Sequence, residues 1–555
     1  MMPHAQDGTR RRQTRVQRQC DTPVAHNTFV LLPLALGVLY LDSFILPHTS
    51  IYQGDSSPIF LSEAVRMLRG EWIYRSFFEL TLPGTQAVYL ALFRVFGIRA
   101  WVPDLMFVLV GTMLAWTVTA IARRVVSGRF ALVPGLTFLA FVYTTEPDAT
   151  HHWYSALAVM GALLVLIEKR SYRRLAAAGT LCGLATSFTQ SRGAAAVLGI
   201  AAYLFWEHHR RRQNWRELLK AEFCLCGPFL GWTVTLAAYL VSQVGWRTFA
   251  YSTIVFPLKY YPLWFWNTPA VYLTEVPLLP EPLEMPAVGI WLFVHLLLPS
   301  IYILLFVRRA RLAGGSSDEP WDKLMLLAFV GMSLFLSVSF SASWLRLCSV
   351  SLPGLIILAW FIKTSGRFAS GLASAVCLAT LATLAVQITI VQTKWHRRLD
   401  ARVGDIDLLD PDRYEKFRWV SQQTHAGEFL FQASDCDLYY PLDLRNPAQV
   451  PFLTSSEYTR PEQVEEVIRA LQKHQVRLVL WSVWLDLPLQ LPFERNRLAP
   501  LRNYLLAHYH IVKTFGAPDY EDVWERNSLS ARNRVHSLKA PVASHSVKRQ
   551  PHQQH

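Results

Sequence analysis

The charges of this chain are gathered into short clusters, and between the clusters lie apolar runs long enough to cross a bilayer. In hydrocarbon no water is present to satisfy backbone N–H and C=O groups, so an apolar run of about 18 or more residues can cross only as a helix. Apolar runs, some of them shorter than that, fall at 28–46, 101–122, 130–143, 153–167, 175–188, 194–206, 223–244, 288–307, 324–340, 348–362 and 369–391. They predict an all-α polytopic membrane protein with about eleven transmembrane helices, the shorter runs having soft boundaries. Composition agrees: 52% of the residues are hydrophobic and 17% charged, against about 25% charged in soluble domains. Many of the 19 Trp and 21 Tyr stand at run ends, as in an interfacial aromatic belt.

The net charge of +14 does not point to nucleic acid, because the Lys and Arg sit in short loops beside apolar runs, where they orient helices. The loops alternate. One set holds Arg123/Arg124/Arg129, Lys169/Arg170/Arg173/Arg174, Arg210/Arg211/Arg212, Arg308/Arg309/Arg311 and Lys363/Arg367. The other set has few cations: Arg192, Arg247, Lys259 and Arg346. The positive-inside rule puts the first set in the cytoplasm. Residues 1–27 are basic and precede the first run, which ends in Pro47-His48-Thr49 with no small-residue cleavage site. That predicts an uncleaved anchor with a cytoplasmic N-terminus. The segment 82–97 is apolar but short and carries Arg94. Counted as a span, it would invert every later loop, so it is expected to lie on the outer membrane surface, as is 58–68 with its apolar face toward the bilayer. The seven cysteines form no metal-like or disulfide framework.

After 391 the composition turns polar. Residues 28–392 thus form a membrane module with an outer loop at 48–100, and 393–527 a small C-terminal α/β domain. In that domain strands are expected at 428–432, 477–481 and 510–515, and helices at 461–474 and 498–508. An odd number of spans places it outside the membrane. It has no G-x-G-x-x-G loop, which removes the case for dinucleotide binding. Residues 528–555 are a polar, basic tail with the composition of a disordered segment.

The first outer loop carries the richest chemistry: Asp55, Glu63, Arg66, Glu71, Tyr74-Arg75, Glu79 and Pro83-Gly84. Asp55 falls a few residues past the first run, where a carboxylate can take a proton from a hydroxyl; it can equally cap a helix beginning near Pro58. The run Gly70-Glu-Trp-Ile-Tyr74-Arg75-Ser-Phe77-Phe-Glu79-Leu-Thr-Leu-Pro83, with its Leu-Phe-Arg-Val-Phe-Gly97 ending, resembles the first outer loop of the GT-C membrane glycosyltransferases. These include protein O-mannosyltransferases and the lipid A aminoarabinose transferase. The resemblance covers 28–190 well and the later spans by overall pattern. It implies that Asp55 is the catalytic base, supported by Arg75 and Glu79, and that the chain lies in the plasma (inner) membrane with its C-terminal domain extracytoplasmic.

A second acidic loop reads Thr145-Glu146-Pro147-Asp148-Ala-Thr-His151-His152-Trp153. Glu146, Asp148, His151 and His152 are a set that can hold a divalent metal or position an acceptor. The blander alternative is that Pro147-Asp148 caps the following helix. No metal is required by the expected chemistry. The outer cations Lys259, Arg346 and Arg192 break the charge rule, and a lipid phosphate is the obvious anionic partner, with snorkelling to headgroups as the alternative.

The expected activity is inverting transfer of a hexosyl or pentosyl unit from a polyprenyl-phosphate sugar to a hydroxyl of a glycan, lipid or protein acceptor. The alternatives are a transporter or lipid flippase without glycosyl transfer, or a non-enzymatic scaffold. A transporter calls for mid-membrane polar residues and broken helices in related halves. Here the acidic clusters fall in outer loops, although Asp42 and Asp104 lie within or near spans.

Overall fold

The computed structural model describes residues 31–52, 57–212, 214–274, 285–312, 319–486, 497–516 and 520–527. Each apolar run is helical within them. The helices of the membrane module are α1 (Leu31–Ser43), α2 (Ser57–Leu68), α3 (Gly84–Phe96), α4 (Trp101–Val125), α5 (Gly128–Tyr143), α6 (His151–Leu166), α7 (Tyr172–Phe188), α8 (Gln190–Arg211) and α9 (Trp215–Val244). They continue through α10 (Ala287–Arg311), α11 (Trp321–Ser341), α12 (Trp344–Val350), α13 (Leu352–Lys363) and α14 (Gly366–Thr393). By length and composition, α4, α9, α10, α11 and α14 can each cross a membrane, and α12 with α13 makes a sixth candidate bent by 61°. Among the described residues these grounds give five or six candidate spans, against the expected eleven. Helices α1, α5 and α6 are shorter than a full span, and α8 ends in His208-His209-Arg210-Arg211.

The run 348–362 is not one continuous helix. It breaks at Ser351, where Pro353 in the first turn of α13 has no N–H to extend the hydrogen-bond ladder of α12. The short leg, α12, is thereby tilted and carries Arg346.

The main core joins α1, α4, α5 and α6 through buried aromatics. Phe107 of α4 stacks on Tyr143 of α5 at 4.5 Å, and Tyr143 meets the fully buried Trp153 of α6 edge-on at 4.8 Å. From there the core continues through α7, α8 and α11.

The C-terminal region forms two four-stranded sheets. Strands β5 (Leu430–Gln432), β6 (Leu478–Ser482) and β7 (Tyr509–Thr514), with helices α16 (Pro461–Lys473) and α17 (Ala499–His508), match the expected elements. With β8 (Glu521–Arg526), which sequence did not suggest, they make the order β5-β6-β8-β7. The other sheet mixes both ends of the chain. Strands β1 (Phe44–Ile45) and β2 (Thr49–Ile51) from the first loop join β3 (Arg397–Ala401) and β4 (Gly404–Leu408) in the order β1-β2-β4-β3. Strands β2 and β4 run parallel, Ser50 opposite Ile406. Helix α15 (Pro411–Gln423) follows β4.

This union corrects the expected placement of α2 and α3. Leu61, Ala64 and Val65 of α2, and Tyr89 and Phe93 of α3, are buried in one core with Leu399, Ile406, Phe417 and Tyr440. Their apolar faces are thus covered by the C-terminal region rather than turned to a bilayer. Phe93 stacks on Tyr440 at 5.7 Å. The outer end of α3 stays open, with Val95 74% exposed.

Candidate active site

Six parts of the chain meet around a cavity of about 250 Å³. Helix α2 contributes Ile59 and Phe60, the loop before α3 contributes 78–81, and the start of α6 contributes His151 and His152. Tight turns at 261–267 supply Tyr261, Trp264 and Asn267; the start of α12 supplies Arg346, and the C-terminal region Phe452 and Tyr458. The aromatic wall is continuous: Trp264 packs on Phe452 and Tyr458 with ring centroids 5.4 Å away in each case.

Arg346 is held rigidly and by neutral groups alone. Its guanidinium donates to the Tyr261 hydroxyl at 2.6 Å, to Asn267 Oδ1 at 2.9 Å and to the Ser341 carbonyl at 3.1 Å. Asn267, itself buried, is fixed by donating to the Tyr261 carbonyl at 3.1 Å. No carboxylate pairs with Arg346 among the described residues, so its charge remains available to an anion in the cavity.

The rings of His151 and His152 pack at 3.9 Å with a tilt of 37°, and His151 also packs on Phe60 at 5.0 Å. Both Nδ1 atoms are buried without a hydrogen-bond partner among the described residues. Arg192, expected on the outer surface, is instead 2% exposed at the start of α8. One of its nitrogens donates to the His152 carbonyl at 2.9 Å and to Ser155 Oγ at 3.3 Å, while Nε and the other terminal nitrogen have no partner among the described residues. It borders a small apolar void with Met160, Leu334 and Ser349 rather than the larger cavity.

Glu79 forms part of the cavity wall. One carboxylate oxygen accepts from the Leu80 and Thr81 N–H groups at 2.6 and 2.8 Å and from Thr81 Oγ1 at 3.0 Å. Behind it, Gln86 donates to buried Glu63 at 2.7 Å. Burial pushes both carboxyls up; for Glu79 the three donors oppose that rise, whereas for Glu63 the neighbouring Glu79 charge adds to it. Glu63 is therefore the partner that keeps a proton, and Glu79 the one suited to carry charge.

Asp148 lies elsewhere. It accepts from Thr150 Oγ1 at 3.1 Å and lines a smaller cavity of about 30 Å³ with Ser50, Tyr52, Ser57 and Asp104. Thr150, the cap residue of α6, makes no side-chain capping bond of its own. Glu146 sits half-buried in the turn before it. Asp148 thus lines one cavity, His151 and His152 line the other and Glu146 lines neither, and no group of three or more His, Cys, Asp or Glu gathers as a metal-ligand set among the described residues. Lys259 is exposed, its ammonium 5.3 Å from the Tyr260 ring, and Arg75 is exposed with its carbonyl accepting from Gln449; neither lines the cavity. Asp55 falls outside the described residues. Its placed neighbours on either side, Tyr52 and Ser57, both line the Asp148 cavity, and the Tyr52 hydroxyl donates to the Asp437 carbonyl at 2.6 Å.

Among solved structures, the chain superposes on ArnT from Cupriavidus metallidurans in the apo state with a TM-score of 0.54, covering 90% of this chain and 98% of that one at 14% identity. It superposes on the archaeal oligosaccharyltransferase AglB from Archaeoglobus fulgidus, in complex with an inhibitory peptide and a dolichol-phosphate, with a TM-score of 0.53, covering 92% and 81% at 11% identity. The chain has the GT-C fold. The likeness spans both the helical module and the C-terminal region, and it lives in three dimensions alone: no family model and no curated protein matches the sequence. Of the residues that build the 250 Å³ cavity, the sequence did not single out Tyr261, Asn267, Trp264, Phe452 and Tyr458. Tyr261 stands two residues from Lys259, but its role depends on Arg346 arriving from another helix.

Proposed function

We propose that the chain is a multi-pass membrane glycosyltransferase that moves a sugar from a polyprenyl-phosphate donor to an acceptor hydroxyl at the outer face of the membrane. The observation that carries this is Arg346: a guanidinium with neutral partners only, fixed in a cavity walled by aromatic rings, within a GT-C fold. Aromatic faces suit the C–H faces of a sugar and the apolar start of a prenyl chain. The guanidinium suits the donor phosphate, which leaves as an anion and needs charge neutralisation more than protonation. The AglB neighbour was solved with a dolichol-phosphate, a ligand of that class.

In the proposed step Asp55 takes the acceptor hydroxyl proton, the oxygen attacks the anomeric carbon, and the bond from that carbon to the phosphate oxygen breaks. The electron pair leaves with the lipid phosphate, and direct displacement inverts the anomeric centre. Asn in place of Asp55 preserves shape and capping ability but cannot act as base. Asp55→Asn is therefore expected to abolish transfer from defined polyprenyl-phosphate sugars while membrane insertion and thermal stability stay at wild-type levels. Turnover near wild type would remove Asp55 from the mechanism.

A further inference from the structure

Helix α8 runs from Gln190, beside the candidate active site, to Arg211, and its 22 residues span roughly 30 Å. At that remote end a cleft of about 850 Å³ opens between the ends of α7, α8 and α9. Lys169, Arg170, Glu207, His208, Arg211 and Asn214 form its polar walls, and Leu175, Leu204 and Leu218 its floor. Against it lies a second, apolar groove of about 360 Å³ made by Tyr172, Leu219, Lys220, Phe223 and Cys224. The two share Tyr172. A polar chamber opening onto an apolar channel has the shape of an amphiphile.

The charges decide which amphiphile. Each carboxylate at the cleft already has a cation. Glu207 accepts from Arg170 at 2.9 Å and Arg211 at 2.8 Å, Glu217 pairs with Lys220 at 3.0 Å, and Glu168 with Lys323 at 2.8 Å. Lys169, Arg173, Arg212 and Arg216 have no acidic partner among the described residues, which leaves an excess of positive charge at this end of the bundle. Inside the cleft, His208 is 8% exposed and its Nδ1 has no hydrogen-bond partner among the described residues. The groove continues along α9, whose apolar window is only 11% buried by protein and whose Phe223 is 77% exposed. That surface is covered by lipid if α9 crosses a membrane.

We propose that this cleft and groove bind an anionic phospholipid of the surrounding leaflet, with the phosphodiester headgroup in the cleft near Lys169 and His208 and an acyl chain along Leu219 and Phe223. Juxtamembrane cations contribute about 1 kcal/mol each to anionic-lipid binding, roughly a fivefold change in affinity. The full-length protein is reconstituted in phosphatidylcholine nanodiscs carrying a trace of fluorescent phosphatidylglycerol or fluorescent phosphatidylcholine, and energy transfer from protein tryptophan to the bound lipid is titrated. Wild type is expected to prefer phosphatidylglycerol, and Lys169→Ala and Arg216→Ala each to lose about fivefold of that preference. Phe223→Asp is expected to weaken both lipids, while Arg247→Ala, at the opposite end of α9, changes neither. Equal binding of the two lipids by wild type, or an undiminished preference in both Lys169→Ala and Arg216→Ala, overturns the proposal. So does competition by free glycerophosphate, which would make the cleft a soluble-anion site. Melting temperatures of each variant separate loss of lipid from loss of fold.

Discussion

Arg346 concentrates the functional question in one side chain. Its four hydrogen-bond acceptors are neutral and come from the 261–267 turns and the end of α11, so the geometry is fixed without the charge being spent. A charge-assisted contact in a partly dry site is worth about 1.5–3 kcal/mol, or roughly ten- to a hundredfold. Arg346→Ala is expected to lower donor kcat/KM by that factor at saturating acceptor, and Arg346→Lys to recover part of it, since an ammonium lacks the planar fork. Unchanged donor kinetics in the Ala variant would move the phosphate to another cation, with buried Arg192 the next to test. Glu63 makes a different prediction. Its carboxyl is held well above the usual range, first by burial and then by Glu79, with Gln86 and Arg66 opposing. The folded state therefore binds this proton more tightly than the unfolded state. That stability is complete below the ordinary carboxylate range and is lost as pH rises through the elevated value. Glu63→Gln removes the titrating group, and thermal stability followed as pH rises from the ordinary carboxylate range should decline less steeply than in wild type.

At the scale of elements, two contacts set where the cavity wall stands. The 61° bend between α12 and α13 sets the tilt of the short leg that carries Arg346. The close seating of α3 on the end of α7 fixes the loop that bears Glu79. A Cβ on Gly84 would lie 2.6 Å from the Ser187 carbonyl oxygen and 2.8 Å from the Phe188 ring. The first of these is backbone and cannot swing aside. Gly84→Ala is expected to cost about 1–3 kcal/mol by overpacking, read as a lowered melting temperature, and to reduce transfer by displacing 78–81. A melting temperature equal to wild type would mean that α3 shifts freely and that its seating does not hold the loop.

At the scale of the molecule, the C-terminal region is part of the first loop's fold. Strand β2 has β4 as its parallel partner, and α2 and α3 bury their apolar faces against residues beyond 393. A chain ending at residue 393 would expose Leu61, Val65, Tyr89 and Phe93 and leave β2 without that partner. Such a truncation is expected to make residues 57–100 sensitive to limited proteolysis even when the helical bundle inserts. Protection equal to wild type would show that the loop folds alone. Topology has its own test. The positive-inside rule puts the Arg211 loop in the cytoplasm, so Arg211→Cys should react with an impermeant thiol reagent only after permeabilisation. Labelling in intact cells would invert the assignment.

The helices were legible in the sequence because their hydrogen bonds are local: an apolar run carries its own backbone partners four residues away and needs no distant segment to be read. The strands at 430–432, 478–482 and 509–514 were legible for a similar reason, as short β-rich runs between turn residues. Strands β3 and β4 were not, since Arg397–Ala401 and Gly404–Leu408 are largely polar and become a sheet by meeting β2 from the opposite end of the chain. The same limit governs the site. Sequence picked out Arg346, Glu79 and the histidine pair, which line one cavity, but it grouped Arg346 with Lys259 and Arg192 by charge and sidedness alone. Tertiary structure separated the three: one pinned in the aromatic cavity, one exposed beside Tyr260, one buried behind His152. Which cation faces a cavity is decided by the neutral groups that hold it, and Tyr261, Asn267 and Ser341 acquire that role through long-range packing, which leaves no period or spacing in the chain.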